Sequence, residues 1–212
     1  MSINTERSMA TSAAIEALTG VCAIVLSILA LSNVFPMMLT SVAAIAVGFA
    51  FLIQGVAISS HYYDVLNSVT DTKSEAVTFT GAVSTEFIGG IGVLTLRILS
   101  LINITPMVLL PVAALVLGGI MVLSSGETAH LSSLRVSENE EVRRISSRAM
   151  KGATGAQLLV GFAAITLGII ALTGGVGNTL LLSTIAILSV GVVEFSKSSA
   201  LSAKLVSILR NE

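Results

Sequence analysis

Glu16, Glu86 and Glu194 are carboxylates set at the edges of long apolar stretches, with Gln54 and Gln157 placed in the same way and Arg97 as the one cation deep in such a stretch. Carboxylates grouped in a low-dielectric setting can share a proton or hold a cation. Arg97 lies eleven residues after Glu86 and six before Asn103. It could snorkel to an interface, find a partner inside a bundle, or attract an anion. Glu127-x-x-His130 sets two metal-ligand types on one helical face, the spacing that holds iron or manganese in ferritin-like bundles when other helices add glutamates. The matching positions earlier in the chain are Ala57 and Ser60, so the motif stands alone. Glu16 and Glu86 also read as carboxylates in the first turns of their helices, where the positive dipole end favours them. No nucleophile elbow, phosphate loop, paired metal motif or haem attachment site is present, so the sequence assigns no catalytic residue and no cofactor. Cys22 is the only cysteine, which rules out an intrachain disulfide, and it is expected to pack as a small hydrophobe.

The elements that must position these residues are apolar helices. The chain is 54% hydrophobic and 11% charged, with a mean hydropathy of +0.96. A water-exposed surface requires roughly 25% charged residues. No Asp, Glu, Lys or Arg occurs from Ala17 to Tyr63, from Ile98 to Gly126, or from Gly152 to Val193. A crossing needs about 20 apolar residues. The first and third stretches each hold two, with breaks at Asn33–Pro36 and Gly174–Asn178. Helices are therefore predicted near 13–33, 37–59, 84–103, 107–126, 154–173 and 179–198. Continuous apolar runs argue against a barrel, whose strands alternate over about 10 residues. The segment Ser32-Asn33-Val34-Phe35-Pro36 lacks a small-x-small cleavage site, so the first helix is expected to remain as a span.

Ten of the eleven Lys and Arg residues fall on the side that six helices would give both termini; Arg97 is the exception. Basic residues concentrate in cytoplasmic loops. The expectation is a multi-pass protein of the cell (inner) membrane with cytoplasmic termini. A net charge of −1 gives no support for nucleic-acid binding. The lipid bilayer is the first partner, and a second copy or another membrane protein remains open. The linkers 60–83 and 130–153 are expected on the cytoplasmic side. The second, with Glu140 and Arg144 at i,i+4, reads as a solvated helical connector or a contact for anionic lipid or a soluble partner.

The chain resembles itself at a fixed offset of 70 residues: Glu16 and Glu86, Gly20 and Gly90, Asn33 and Asn103, Pro36 and Pro106, Gly48 and Gly118. An offset of 71 carries Glu86 to Gln157 and Gly90 to Gly161, and Gly118 maps to Gly191 after a longer turn. The fold expected is an all-α polytopic membrane bundle, six transmembrane helices as three repeated helical hairpins. It forms a single membrane domain over 1–212, with repeats near 12–60, 84–130 and 154–204. The three share one orientation, unlike the inverted repeats of many transporters. Gly20, Gly90 and Gly161 lie in stripes with Glu16, Glu86 and Gln157 at helical spacing, where small residues let helices approach in lipid.

Gly20…Ile28-Leu29-Ala30-Leu31…Pro36…Gly48…Gly55 and Gly90…Ile98-Leu99-Ser100-Leu101…Pro106…Gly118…Gly126 resemble the units of the HdeD-like family of short-repeat bacterial membrane proteins. The likeness runs over nearly the whole chain. It implies an acid-stress role without established catalytic chemistry. Three functions are weighed: a non-catalytic membrane protein of stress-response or structural type, a small ion, proton or solute transporter or channel using the carboxylates, and a metal-dependent membrane enzyme built on Glu127 and His130.

Overall fold

Two short turns in the chain are built by the same backbone device. Asn33 (φ 66°) and Asn103 (φ 69°) take the left-handed conformation that ends a helix. Their amides donate to Ala30 O and Ser100 O, both at 3.1 Å. The next amides, of Val34 and Ile104, reach back to Leu29 O and Leu99 O at 3.3 and 3.1 Å. This closes a Schellman motif and satisfies carbonyls that the helix end would orphan. Pro36 and Pro106 then open the following helices, where a missing N–H costs nothing.

The computed structural model describes residues 3–68, 85–134, 140–174 and 176–209, with side chains described over 15–56, 85–125, 154–174 and 178–198. These residues form six helices: α1 Ile3–Leu31, α2 Pro36–Ser68, α3 Thr85–Leu101, α4 Pro106–Leu134, α5 Glu140–Thr173 and α6 Val176–Leu209. No strand occurs among the described residues. Four helices contain segments long and apolar enough to cross a membrane: Pro36–Val56, Pro106–Ser125, Thr154–Thr173 and Asn178–Ser198. The apolar part of α1, Ile15–Leu31, is shorter.

Most helices run past their predicted limits. α1 begins at Ile3, α2 continues to Ser68, α4 to Leu134 and α6 to Leu209, while α5 starts at Glu140. Apolarity marks where lipid depth ends. It does not mark where a helix must stop. The added segments contain no proline and are rich in Ala, Leu, Ser, Lys, Arg and Glu, most of them good helix formers. The expected connector at 130–153 is thus, from Glu140 onward, a direct extension of α5.

Each helix packs on its neighbours in sequence, and α6 packs back on α1, closing a ring. Additional contacts of α6 with α2 and α4 cross the interior. Three seams of this ring are made by glycines. A Cβ on Gly90 of α3 would lie 2.9 Å from Gly48 O of α2. One on Gly161 of α5 would lie 2.9 Å from Gly118 O of α4, and the reverse approach is 2.6 Å. On α1, Gly20 would meet Phe195 N of α6 at 2.8 Å, while Gly191 of α6 faces Ala23. Backbone touches backbone at all three, so no side chain can be added without separating the helices.

The surface of the ring is apolar and its interior is partly polar. Leu18 and Leu159 are each 71% exposed, whereas Arg97 is fully buried. Exposed Leu, Ile, Val, Met and Phe side chains occur on all six helices, far beyond the patch size a water-soluble monomer tolerates. Cys22, expected to pack inside, lies on this outer face. Its neighbours on the inward face, Gly20 and Ala23, take the buried positions.

Adjacent glycines of α4 test the seam. A Cβ at Gly119 meets nothing within 4 Å. Gly118→Ala should lower stability in detergent by about 2 kcal/mol or more through overpacking. Gly119→Ala should be neutral or stabilising by up to about 1 kcal/mol, from helix propensity alone. Chemical denaturation of the two variants side by side checks this.

Candidate functional site: two polar layers inside the helix ring

At the end of the ring opposite the short turns, each helix contributes a buried polar side chain to a common layer. These are Glu16 from α1, Gln54 from α2, Glu86 from α3, Ser124 from α4, Gln157 from α5 and Glu194 from α6. The glycine seams set their register. Gln54 is six residues past Gly48, and Glu86 is four before Gly90. Ser124 and Gln157 stand in the same relation to Gly118 and Gly161, and Lys197 and Glu16 to Gly191 and Gly20. In antiparallel helices this sets each pair face to face, about one turn beyond its glycine contact.

Hydrogen bonds tie the layer together. Glu194 is 1% exposed and accepts from Gln54 Nε2 at 2.6 Å and from Lys197 Nζ at 2.8 Å. Gln54 also lies within hydrogen-bonding reach of Glu16. Lys197 interacts electrostatically with Glu194, Glu86 and Glu16 together. On the other side of the ring, Gln157 Nε2 donates to Ser124 Oγ. The layer is thus an acidic cluster shared by α1, α2, α3 and α6, beside a neutral amide–hydroxyl pair on α4 and α5.

Glu16, Glu86 and Glu194 are therefore brought into one network, and Gln157 into the neutral pair beside it. One expectation fails for Glu16. It is not in a first helical turn, because α1 begins thirteen residues earlier at Ile3, so the dipole does not account for its position. Glu86 is in the first turn of α3. Sequence reasoning counted Lys197 only as a basic residue near the boundary and did not single out Ser124. The offset that relates Gly48, Gly118 and Gly191 also relates Gln54, Ser124 and Lys197, and would have found both. Glu127 and His130 lie outside the described side chains. Among the described residues no three His, Cys, Asp or Glu side chains group as metal ligands.

The second layer lies near the short turns. Arg97 is fully buried on the face of α3 that also buries Glu86, Gly90, Val93 and Ser100, so it does not reach the surface. Its Nη2 donates to Leu110 O on α4 at 3.2 Å. Thr40 of α2 and Thr184 of α6 share a hydrogen bond of 2.8 Å across the interior. Between the layers the ring is apolar and closed, with Ala23, Val47, Phe51, Val93, Leu117, Met121, Ile187 and Val190 at most 1% exposed.

Lys197→Met should destabilise the protein by about 3–5 kcal/mol, because it removes one partner of the buried Lys197–Glu194 ion pair. Adding Glu194→Gln to that variant should recover most of the loss. A double-mutant cycle measured by denaturation in detergent reads the coupling directly.

Comparison of the chain with family models, with curated proteins and with solved structures finds no match.

Proposed function

We propose that this chain is a non-catalytic integral protein of the inner membrane whose buried carboxylate layer responds to protons, an acid-stress role of the kind the HdeD-like resemblance implies. In this reading all six helices span the bilayer as three tandem hairpins, with both termini cytoplasmic. Apolar faces on α1 and α3 as well as on the four longer segments support six crossings. At 1.5 Å per residue the 17 residues of α3 cover about 25 Å, close to the roughly 30 Å of hydrocarbon. The recurrence of one turn geometry at Asn33 and Asn103, and of the glycine seams, supports the hairpin repeat.

The observation that carries the functional reading is the charge count in the layer. Among the described residues, Glu16, Glu86 and Glu194 share the ammonium of Lys197. Neutrality inside a low-dielectric ring then calls for protons or a bound cation. Transport of protons or small ions is the second reading, favoured by the depth of the same carboxylates. It requires the apolar middle around Phe51, Leu117 and Met121 to open.

Topology is tested by reporter fusions after Glu75, after Lys151 and at Glu212, all expected to report the cytoplasm. A periplasmic signal at the last position removes the six-span count. For the proton layer, a fold that takes up protons is stabilised as the pH falls. Melting temperature in detergent should rise from neutral to mildly acidic pH, and the slope should flatten in Glu86→Gln, in Glu194→Gln and most in the double variant. An unchanged slope in all three ends the proton-layer reading. Acid-driven proton flux in liposomes, lost in the same variants, would favour transport instead.

A further inference from the structure

We propose that Arg97 is the centre of an internal binding site for a small monovalent inorganic anion, formed with the hydroxyls of Ser41 and Ser100. The site is separate from the carboxylate layer, and either idea can fail without the other.

Register brings these residues together. Arg97 lies seven residues past Gly90 on α3, and Ser41 lies seven before Gly48 on α2. Seven residues are close to two turns, so each stays on the face of its glycine. The equivalent pair on α4 and α5 checks the geometry. Gly168, seven past Gly161, would place a Cβ 3.1 Å from the carbonyl of Pro111, seven before Gly118. Arg97 thus stands opposite Ser41, and Ser100, three residues on, shares the buried face of α3. Ser27 of α1, seven residues past Gly20, and Ser183 of α6, next to Thr184, are buried as well.

Donors at this level are unspent. Arg97 Nε and Nη1 have no hydrogen-bond partner, nor do the hydroxyls of Ser27, Ser41, Ser100 and Ser183, and all five residues are fully buried. Elsewhere in these helices Thr19, Ser125 and Ser189 satisfy themselves by donating to a carbonyl about one turn back. The serines around Arg97 do not take that option. A guanidinium keeps its charge and has five N–H donors and no acceptor. The carboxylates cannot serve it. Glu86 is eleven residues away on the same helix, about 16 Å along the axis at 1.5 Å per residue, and Glu16 and Glu194 share its level. What the level lacks is one negative charge that accepts several hydrogen bonds.

A single net positive charge selects a monovalent anion. Full burial means that the anion enters without its water, so weakly hydrated ions are favoured over strongly hydrated ones. The expected order is iodide and nitrate, then chloride, with fluoride and sulfate weakest.

The test uses the purified full chain in detergent, titrated with sodium nitrate, iodide, chloride or gluconate at constant ionic strength. Melting temperature should rise with nitrate, iodide and chloride in a saturable way and stay flat with gluconate. Ser41→Ala and Ser100→Ala should shift the nitrate midpoint upward by about tenfold, the equivalent of one charge-assisted hydrogen bond. In Arg97→Leu, an apolar replacement suited to a buried site, the anion response should vanish. If Arg97→Leu does not fold, the two serine variants decide. Equal stabilisation by gluconate, an intact response in Arg97→Leu, or midpoints unmoved in both serine variants would each overturn the proposal.

Discussion

Backbone-to-backbone contact at Gly48–Gly90, Gly118–Gly161 and Gly20–Phe195 is the constraint on which the rest of the structure depends. In lipid there is no hydrophobic gain from burying one apolar helix against another, so close packing must supply the association. Removing the side chain at the crossing brings two helices near enough for their neighbours to touch. It also fixes rotation and axial shift at once. Residues a fixed number of steps from each glycine then meet whether they are carboxylates, amides or hydroxyls. Both polar layers inherit their geometry from these three points.

The two layers differ in how their polar groups are satisfied. At the carboxylate end, long side chains from adjacent helices reach one another: Gln54 and Lys197 converge on Glu194, and Gln157 meets Ser124. At the turn end the side chains are short except for Arg97, and the bonds that cross between helices among the described residues include Thr40–Thr184, Arg97–Leu110 O and Thr179–Ala171 O. The carboxylate end is therefore the more densely cross-linked of the two layers. The apolar block centred on Phe51, Leu117 and Met121 keeps the two from communicating through water.

Much of this was legible in the sequence. The offset of 70 residues pointed to the glycines that make the seams, and charge-free stretches located the apolar parts of the helices. The stripe holding Glu86, Gly90, Val93 and Arg97 is buried as its spacing predicts. What hydropathy could not reveal was the helix ends beyond the apolar segments, since charged Glu140 and Arg144 continue α5 as readily as leucines would. The same continuation at the start of α1 moves Glu16 out of the first turn. The sequence alone leaves the side chain of Arg97 with two placements. Its length permits either snorkelling or burial, and the choice rests on Gly48 and Gly90 drawing α2 close enough to cover it. Lys197 was hidden because a lysine at the end of an apolar run ordinarily marks an interface.

Closure of α6 onto α1 has a consequence for connectivity. The two helices are antiparallel, since Gly20 meets Phe195 while Ala23 meets Gly191. The start of α1 and the end of α6 therefore lie side by side at the end of the ring opposite the short turns. Joining them with a short linker and opening the chain between α2 and α3 would leave every seam as it is. A linear stack of hairpins has end units with a single neighbour, which fray first and need caps. In this ring each helix has a neighbour on both sides, so the architecture has no intrinsic first element and no edge from which to unravel.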